Sequence, residues 1–431
     1  MKSLPLALAV LCLPFAGYAA DKPRPLMRDF MGLCVHTVTF KPELYRPIAS
    51  RVRDYHPFDW DVGQETDHPT TFPMARNKVD WNQVYGSWKK AGYRAEASIM
   101  FDNFDAKKWV DLPRDARAYG QAFASYFGPS HENLLEAVEI GNEPGKYDDA
   151  TYRALFEAMA IGIRLGDPHL RIATCAANLG KSGRYSKSVD VLQGLESHYD
   201  IVNIHVYPEV KGWPTWARSY PEDPKIEFLR DIGHVLKWRD EHAADKEVWL
   251  TEFGYDASTK PAPPTGDFAK WVGSTETEQA LWTVRAFLVL AATGLDRAYL
   301  FYFNDNDEPH VHGSSGLTRN YEPKPAFHAV AHLQKSLGDY RFSKAQKESV
   351  EGGYVYEFEH EKDPNKRVWV AWKPQGEVSV TLPGGWRMVK AEYTPLQAGE
   401  PRQAGVTHFL GGYVRDLIRA NEAPVFIWLE R

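Results

Sequence analysis

Along the first three-quarters of the chain, short runs rich in β-branched and aromatic residues alternate with longer segments whose apolar positions recur at helical spacing. The short runs are 31–38 (MGLCVHTV), 50–55 (SRVRDY), 93–100 (YRAEASIM), 135–142 (LEAVEIGN), 170–176 (LRIATCA), 200–207 (DIVNIHVY), 246–252 (KEVWLTE) and 296–303 (DRAYLFYF). Helix-period segments lie between them, among them 113–127, 148–165, 223–243 and 274–294. The last opens at Ser274, with Thr277 and Glu278 in its first turn, and closes at Gly294, the pattern of a capped helix. Eight strands separated by helices predict an α/β chain closed into a (β/α)8 TIM barrel. A doubly wound open sheet is the alternative, but it wants a Gly-rich turn after its first strand, and VHTVTFKPE has none.

From about residue 340 the pattern changes. GGYVYEFEHE, RVWVAWKP, VSVTLPG and APVFIWLER read as strands joined by turns, with no helix period. This predicts a small antiparallel β-sandwich at 339–431, packed closely on a barrel at 20–338 because no long linker separates them. Residues 1–19 read as a secretory leader, with Lys2, an apolar run from Leu4 to Phe15 and small residues at Gly17 and Ala19. Cleavage after Ala19, or else Ala20, and export to a bacterial periplasm or the exterior are expected. The run is too short for a stable membrane span, so no span is expected in the mature chain. Cys12 falls inside the leader; Cys34 and Cys175 lie in apolar strand-like runs, where Cys acts as a small buried hydrophobe.

Composition narrows the class. A net charge of −6 over 431 residues argues against nucleic acid as a partner. Aromatics make up 13% of the chain, with 14 Trp, enough to supply flat faces for sugar rings as well as core. No cofactor is implied, and oligomeric state cannot be read.

In a (β/α)8 barrel, chemistry gathers where strands end and loops begin. The ends supply His36 from the first strand, Arg53 and His56 from the second, and Asp102 and Asn103 from the third. The fourth supplies Asn142 and Glu143, the sixth His205 and Tyr207, and the seventh Glu252. Two carboxylates facing each other across one mouth suit hydrolysis of a glycosidic bond, where one protonates the leaving oxygen and the other attacks the anomeric carbon or activates water.

GNEP (141–144) and TEFG (251–254) resemble the strand-four and strand-seven motifs of clan A retaining glycoside hydrolases. HVY (205–207), Arg53 and GLTRNYEPKPAFHAV (316–330) extend the resemblance toward glycoside hydrolase family 39 and related families. The resemblance implies that Glu143 is the acid/base and Glu252 the nucleophile, in a retaining reaction on a β-linked polysaccharide or oligosaccharide. If Arg53 and the Tyr207 hydroxyl reach Glu252, they favour its ionised form, and Glu143 beside that charge should hold its proton longer. Asn142 can donate to a sugar 2-hydroxyl. Where many clan members end strand eight in Trp, this chain reads YLFYFND, so Tyr302 or Phe303 would floor the sugar.

Other readings compete. Glu139, at an even offset from Glu143, faces inward and should pair with a basic side chain. Arg53 could be a structural ion-pair partner, and His205 and Tyr207 ordinary lumen residues. EPHVHG (308–313) lacks a third ligand at suitable spacing, so no metal is expected, and its histidines should line the strand-eight loop. Trp213, Trp216 and Tyr220 after strand six, and Trp60 after strand two, are either sugar platforms or loop packing. A carbohydrate-binding barrel without chemistry is the rival class; a transglycosylase or a hydrolase trimming exopolysaccharide would use the same residues. An esterase would need a G-x-S-x-G elbow, and HGSSG (312–316) lacks it.

Overall fold

The computed structural model describes residues 22–382, 384–408 and 416–431; the expected leader, 1–19, lies outside the described residues. Eight parallel strands close a barrel: β1 (Met31–Val35), β2 (Arg51–Pro57), β3 (Arg94–Met100), β4 (Ala137–Glu139), β5 (Arg171–Ala173), β6 (Ile201–His205), β7 (Glu247–Phe253) and β8 (Arg297–Leu300). Each pairs with its sequence neighbours, and β1 closes against β8 with Met31 opposite Ala298. All eight expected strands form, several of them shorter than their apolar runs, because the ends of those runs turn into the loops that carry the site.

The lumen is filled by alternate residues of each strand. Cys34, Ala137, Ala173, Ile201, Trp249 and Tyr299 form one buried apolar cluster there. Gly32 makes room for the Tyr299 ring, since a Cβ on Gly32 would lie 2.2 Å from it. Arg53, Glu96 and Glu139 bring charge into the same space, all fully buried.

The surrounding helices include α1 (Trp81–Lys90), α2 (Leu112–Phe127), α3 (Asp149–Gly166), α4 (Phe228–His242), α5 (Glu276–Ala292) and α6 (Pro325–Leu337). Asp80 caps α1 by accepting from the backbone of Asn82 and Gln83. The cap of α5 is Thr275 rather than Ser274: Thr275 and Glu278 form a reciprocal capping box, while the Ser274 hydroxyl donates to the Asp256 carbonyl. Among the described residues, no helix is long and apolar enough to cross a membrane.

Beyond α6 lies the antiparallel β-sandwich. One sheet runs β9 (Tyr340–Ser349), β10 (Gly353–His360), β11 (Lys366–Trp372), β16 (Val425–Glu430), β13 (Arg387–Tyr393) in spatial order; the other runs β12 (Val378–Thr381), β15 (Asp416–Ala420), β14 (Val406–His408). The continuous apolar run of β11 has a simple cause. Trp369 and Ala371 face the small sheet, whereas Val368, Val370 and Trp372 join the barrel's core, so this strand is buried on both faces. Trp372 also donates from Nε1 to Glu222 Oε1 (2.5 Å), which a fully buried Arg285 holds at 3.0 and 2.6 Å. Cys34 and Cys175 are both buried and free.

Candidate active site

β4 ends where it does because of one backbone position. Gly141 has φ +87°, and a Cβ there would lie 2.8 Å from the Phe101 ring. Only glycine takes that conformation beneath that ring without strain. The turn it makes presents Asn142 and Glu143 at the mouth, and the backbone N–H of Glu143 donates to Asp102 Oδ1 at 2.5 Å.

Glu252, on β7, stands across from it, and the two carboxylates live in different surroundings. Glu252 Oε1 accepts from Arg53 Nη1 (3.0 Å) and the Tyr55 hydroxyl (2.7 Å), and Oε2 accepts from the Tyr207 hydroxyl (2.9 Å). Burial opposes its charge, but His205, Arg53 and the Tyr55 hydroxyl outweigh burial and hold Glu252 down to about 2. The Glu143 side chain is 25% exposed against 8% for Glu252, and its carboxylate meets His205 Nδ1 at 3.0 Å. Burial pushes the nearby Asp102 carboxyl up to about 6, despite backbone N–H donors that favour its charge.

His205 joins the two sides. Its Nδ1 lies 3.0 Å from Glu143 and 3.7 Å from Glu252, and its Nε2 lies 3.1 Å from Thr251 Oγ1. Thr251 donates its own proton to Asn203 Oδ1, so with Asn203 in this orientation the hydroxyl accepts from Nε2–H. A proton on Nδ1 is then positioned to bridge to the Glu143 carboxylate at 3.0 Å. Burial opposes a charged imidazole, yet Glu252 and the bond to Glu143 raise His205 above its ordinary value.

One ligand atom each from Glu143, His205 and Glu252 lies within 4.8 Å of the others, the geometry of a potential metal-ligand trio. The oxygens of Glu252 are already taken by a guanidinium and two phenols, which is the make-up of an ion-pair network. His310 and His312 belong to no such trio among the described residues.

Arg53 binds the wall together, donating twice to Glu139 (2.8 and 2.6 Å) and once to Asn142 Oδ1 (2.8 Å). Its partner Glu139 is thus the inward-facing carboxylate whose pairing the strand offset predicts. With its oxygen occupied, Asn142 keeps its amide N–H groups to offer a ligand.

The remaining candidates divide. His36 is exposed at the mouth, its ring against Tyr55 (5.5 Å) and Tyr302 (6.2 Å). Tyr302 is half-buried and stacks on Phe301 at 4.5 Å, and Phe301 in turn meets Tyr55 edge-on at 6.2 Å. Phe303 does not face the mouth: it is 3% exposed, packed behind His36 and Tyr45. Trp213, on the hairpin Glu209–Lys211/Ala217–Arg218 after β6, is 69% exposed. His56 points away from the lumen, bonded to Asp61 (2.7 Å) and Tyr85 (2.8 Å); it sits at an odd offset from Arg53, on the other face of β2.

Sequence reasoning missed Tyr55 and Arg218, and it placed His312 on the strand-eight loop without seeing its contact with Tyr207. Tyr55 is two residues beyond Arg53, so strand alternation alone would have placed it inward. Arg218 lies over the Tyr207 ring at 4.3 Å and pairs with Asp256 at 3.2 Å, and His312 meets Tyr207 at 4.9 Å. Both come from loops whose course no local pattern encodes.

No protein-family model matches the chain, and no curated protein matches it. Solved structures share its fold. A family 39 glycoside hydrolase from Bacteroides cellulosilyticus WH2 superposes with a TM-score of 0.66 at 17% identity, over 94% of this chain and 81% of that one. A glucosidase from Croceicoccus marinus gives 0.64 at 11%, over 95% and 97%. A GH51 arabinofuranosidase from Xanthomonas axonopodis pv. citri gives 0.61 at 12%, over 95% and 98%. The chain therefore shares the fold of these glycoside hydrolases.

Proposed function

We propose that this protein is a retaining glycoside hydrolase that cleaves β-glycosidic bonds in an oligosaccharide or polysaccharide, outside the cytoplasm. The observation that carries the reading is a pair of carboxylates with an oxygen of each inside 4.8 Å, one gripped by a guanidinium and two phenols and the other hydrogen-bonded to His205. Carboxyl groups about 5–5.5 Å apart leave no room for an attacking water, and that spacing goes with a covalent intermediate.

In this reading Glu252 attacks the anomeric carbon while Glu143 gives its proton to the departing oxygen, leaving a glycosyl ester on Glu252. Glu143, now a base, takes a proton from water, whose oxygen displaces Glu252 and releases the sugar with its configuration retained. Arg53, Tyr55 and Tyr207 keep Glu252 charged and aimed. The His205–Glu143 contact gives the proton a place to rest between steps. Asn142 holds the sugar 2-hydroxyl, a bond that tightens as positive charge builds on the ring. Tyr302 and Phe301 form the floor, His36 lines the mouth, and Trp213 serves the far side of the groove. The leader-like pattern of residues 1–19 supports placement in the periplasm or beyond.

Aryl β-glycosides with good leaving groups test the roles. Glu143→Ala with azide should release a β-glycosyl azide, and Glu252→Ala with azide an α-glycosyl azide. If wild type, Glu143→Ala and Glu252→Ala all bind glycans equally and none cleaves, the barrel is a binding module.

A further inference from the structure

A cleft of about 430 Å³ opens beside the reacting centre, on the side of β2 and β3, with Tyr55, Asp59, Trp60, Asp102, Asn103 and Phe104 in its walls. Two of these residues touch the reacting groups: Tyr55 donates to Glu252 at 2.7 Å, and Asp102 accepts from the Glu143 backbone at 2.5 Å. An occupant would sit one side chain from both carboxylates. The volume falls in the usual range for small-molecule pockets, and Trp60, half-buried and stacked on Trp81 at 6.0 Å, offers an indole beside Phe104.

Charge distinguishes this cleft. Asp102 is 8% exposed and its Oδ2 accepts no hydrogen bond, while Asp59 stands exposed at the rim. Asp54, also in the wall, is satisfied by the Thr37 N–H (2.9 Å) and the Tyr85 hydroxyl (2.8 Å). The lining's one lysine, Lys108, has its ammonium engaged by Gln64 at 2.9 Å and by the Phe104 ring at 5.5 Å, both in the same wall. A buried carboxylate oxygen without a donor is costly. A sugar hydroxyl would fill the hydrogen bond and leave the charge; an ammonium fills both needs.

We propose that this cleft is a sugar subsite selecting a residue with a free amine, an amino sugar, with Asp102 and Asp59 as its counter-charges. The proposal rests on the glycoside hydrolase reading and names the class of sugar that the enzyme takes.

The test is calorimetric binding to the full chain carrying Glu252→Gln at pH 7. The probes are glucosamine tetrasaccharide, its N-acetylated form and cellotetraose, which share a linkage and differ in one substituent. The amine form should bind about tenfold tighter than cellotetraose, the worth of one charge-assisted hydrogen bond. That advantage should shrink with added salt, vanish on adding Asp102→Asn, and fall part-way with Asp59→Asn, whose exposed site leaves folding undisturbed. Equal binding of the three probes, absent binding of the amine form, or an advantage that survives both substitutions would overturn it. Binding needs no turnover, so the two readings separate. A wild type that prefers the amine probe but cleaves none of them sinks only the hydrolase; one that cleaves neutral glycans with no amine preference sinks only the subsite.

Discussion

Arg53→Met removes the one guanidinium that two lumen carboxylates share, while keeping much of the stem's volume. Arg53 has no exposed surface, and Glu139, which accepts two of its bonds, has a side chain 1% exposed. The substitution therefore strands a charge in the lumen rather than at a surface. Breaking one partner of such a buried pair costs about 3–5 kcal/mol, against roughly 0–1 kcal/mol for an exposed pair. Arg53→Met with Glu139→Met removes both charges together. Equilibrium urea unfolding of the four proteins closes a double-mutant cycle, and the double variant should cost less than the two singles summed by about 2 kcal/mol. Additivity within about 0.5 kcal/mol would refute the account of Arg53 and Glu139 as one unit.

The same substitution has a pH signature. Glu252 is held down to about 2 from an ordinary 4.5, so its share of stability is complete above 4.5 and is lost as pH falls toward 2. That share is about 3 kcal/mol on the usual conversion. Burial works against the carboxylate, and Arg53 follows His205 among the charges that offset it. Without Arg53, acid unfolding and the acid limb of the pH–rate profile should both move toward neutral pH. An acid limb that stays in place would show that Arg53 does not hold Glu252 charged.

Three further outcomes are expected. Gly141→Ala forces a side chain into a positive-φ position under Phe101 and should cost about 1–3 kcal/mol in thermal unfolding. It should also lower kcat more than it raises KM, because it moves Glu143; an unchanged kcat would count against the turn's role. Trp213→Ala should leave stability within about 0.5 kcal/mol yet raise KM on long glycans and not on short aryl glycosides; equal effects on both would remove Trp213 from the groove. Trp372→Phe deletes the donor to Glu222 that ties sandwich to barrel and should lower unfolding free energy by about 2 kcal/mol, with an unaltered urea midpoint refuting that tie.

Much of this protein is legible residue by residue. Strand period, helix period and the interval between them predict the closed barrel, since each is a local consequence of backbone geometry. The alternation along β2 and β4 places Arg53 and Glu139 inward, and the same rule, carried two residues further, would have found Tyr55 and set His56 outside. The change of texture near residue 340 announces the sandwich. Even the role of Gly141 is foreshadowed, as the one residue between an apolar run and Asn142 that tolerates any turn.

What the tertiary structure alone decided is who meets whom across the lumen. That Glu252 takes Arg53, Tyr55 and Tyr207 together depends on β2, β6 and β7 being staggered round a closed barrel, and no window of sequence contains all three strands. Loops are the other case. Phe301 rather than Phe303 meets Tyr55, Arg218 arrives over Tyr207 from a hairpin, and Asp102 keeps an unfilled oxygen in a cleft that Trp60 also lines, because loop paths follow from packing at distance. Periodicity is a property of neighbours along the chain and survives in the sequence. Convergence is a property of closure, and exists only once the barrel has formed.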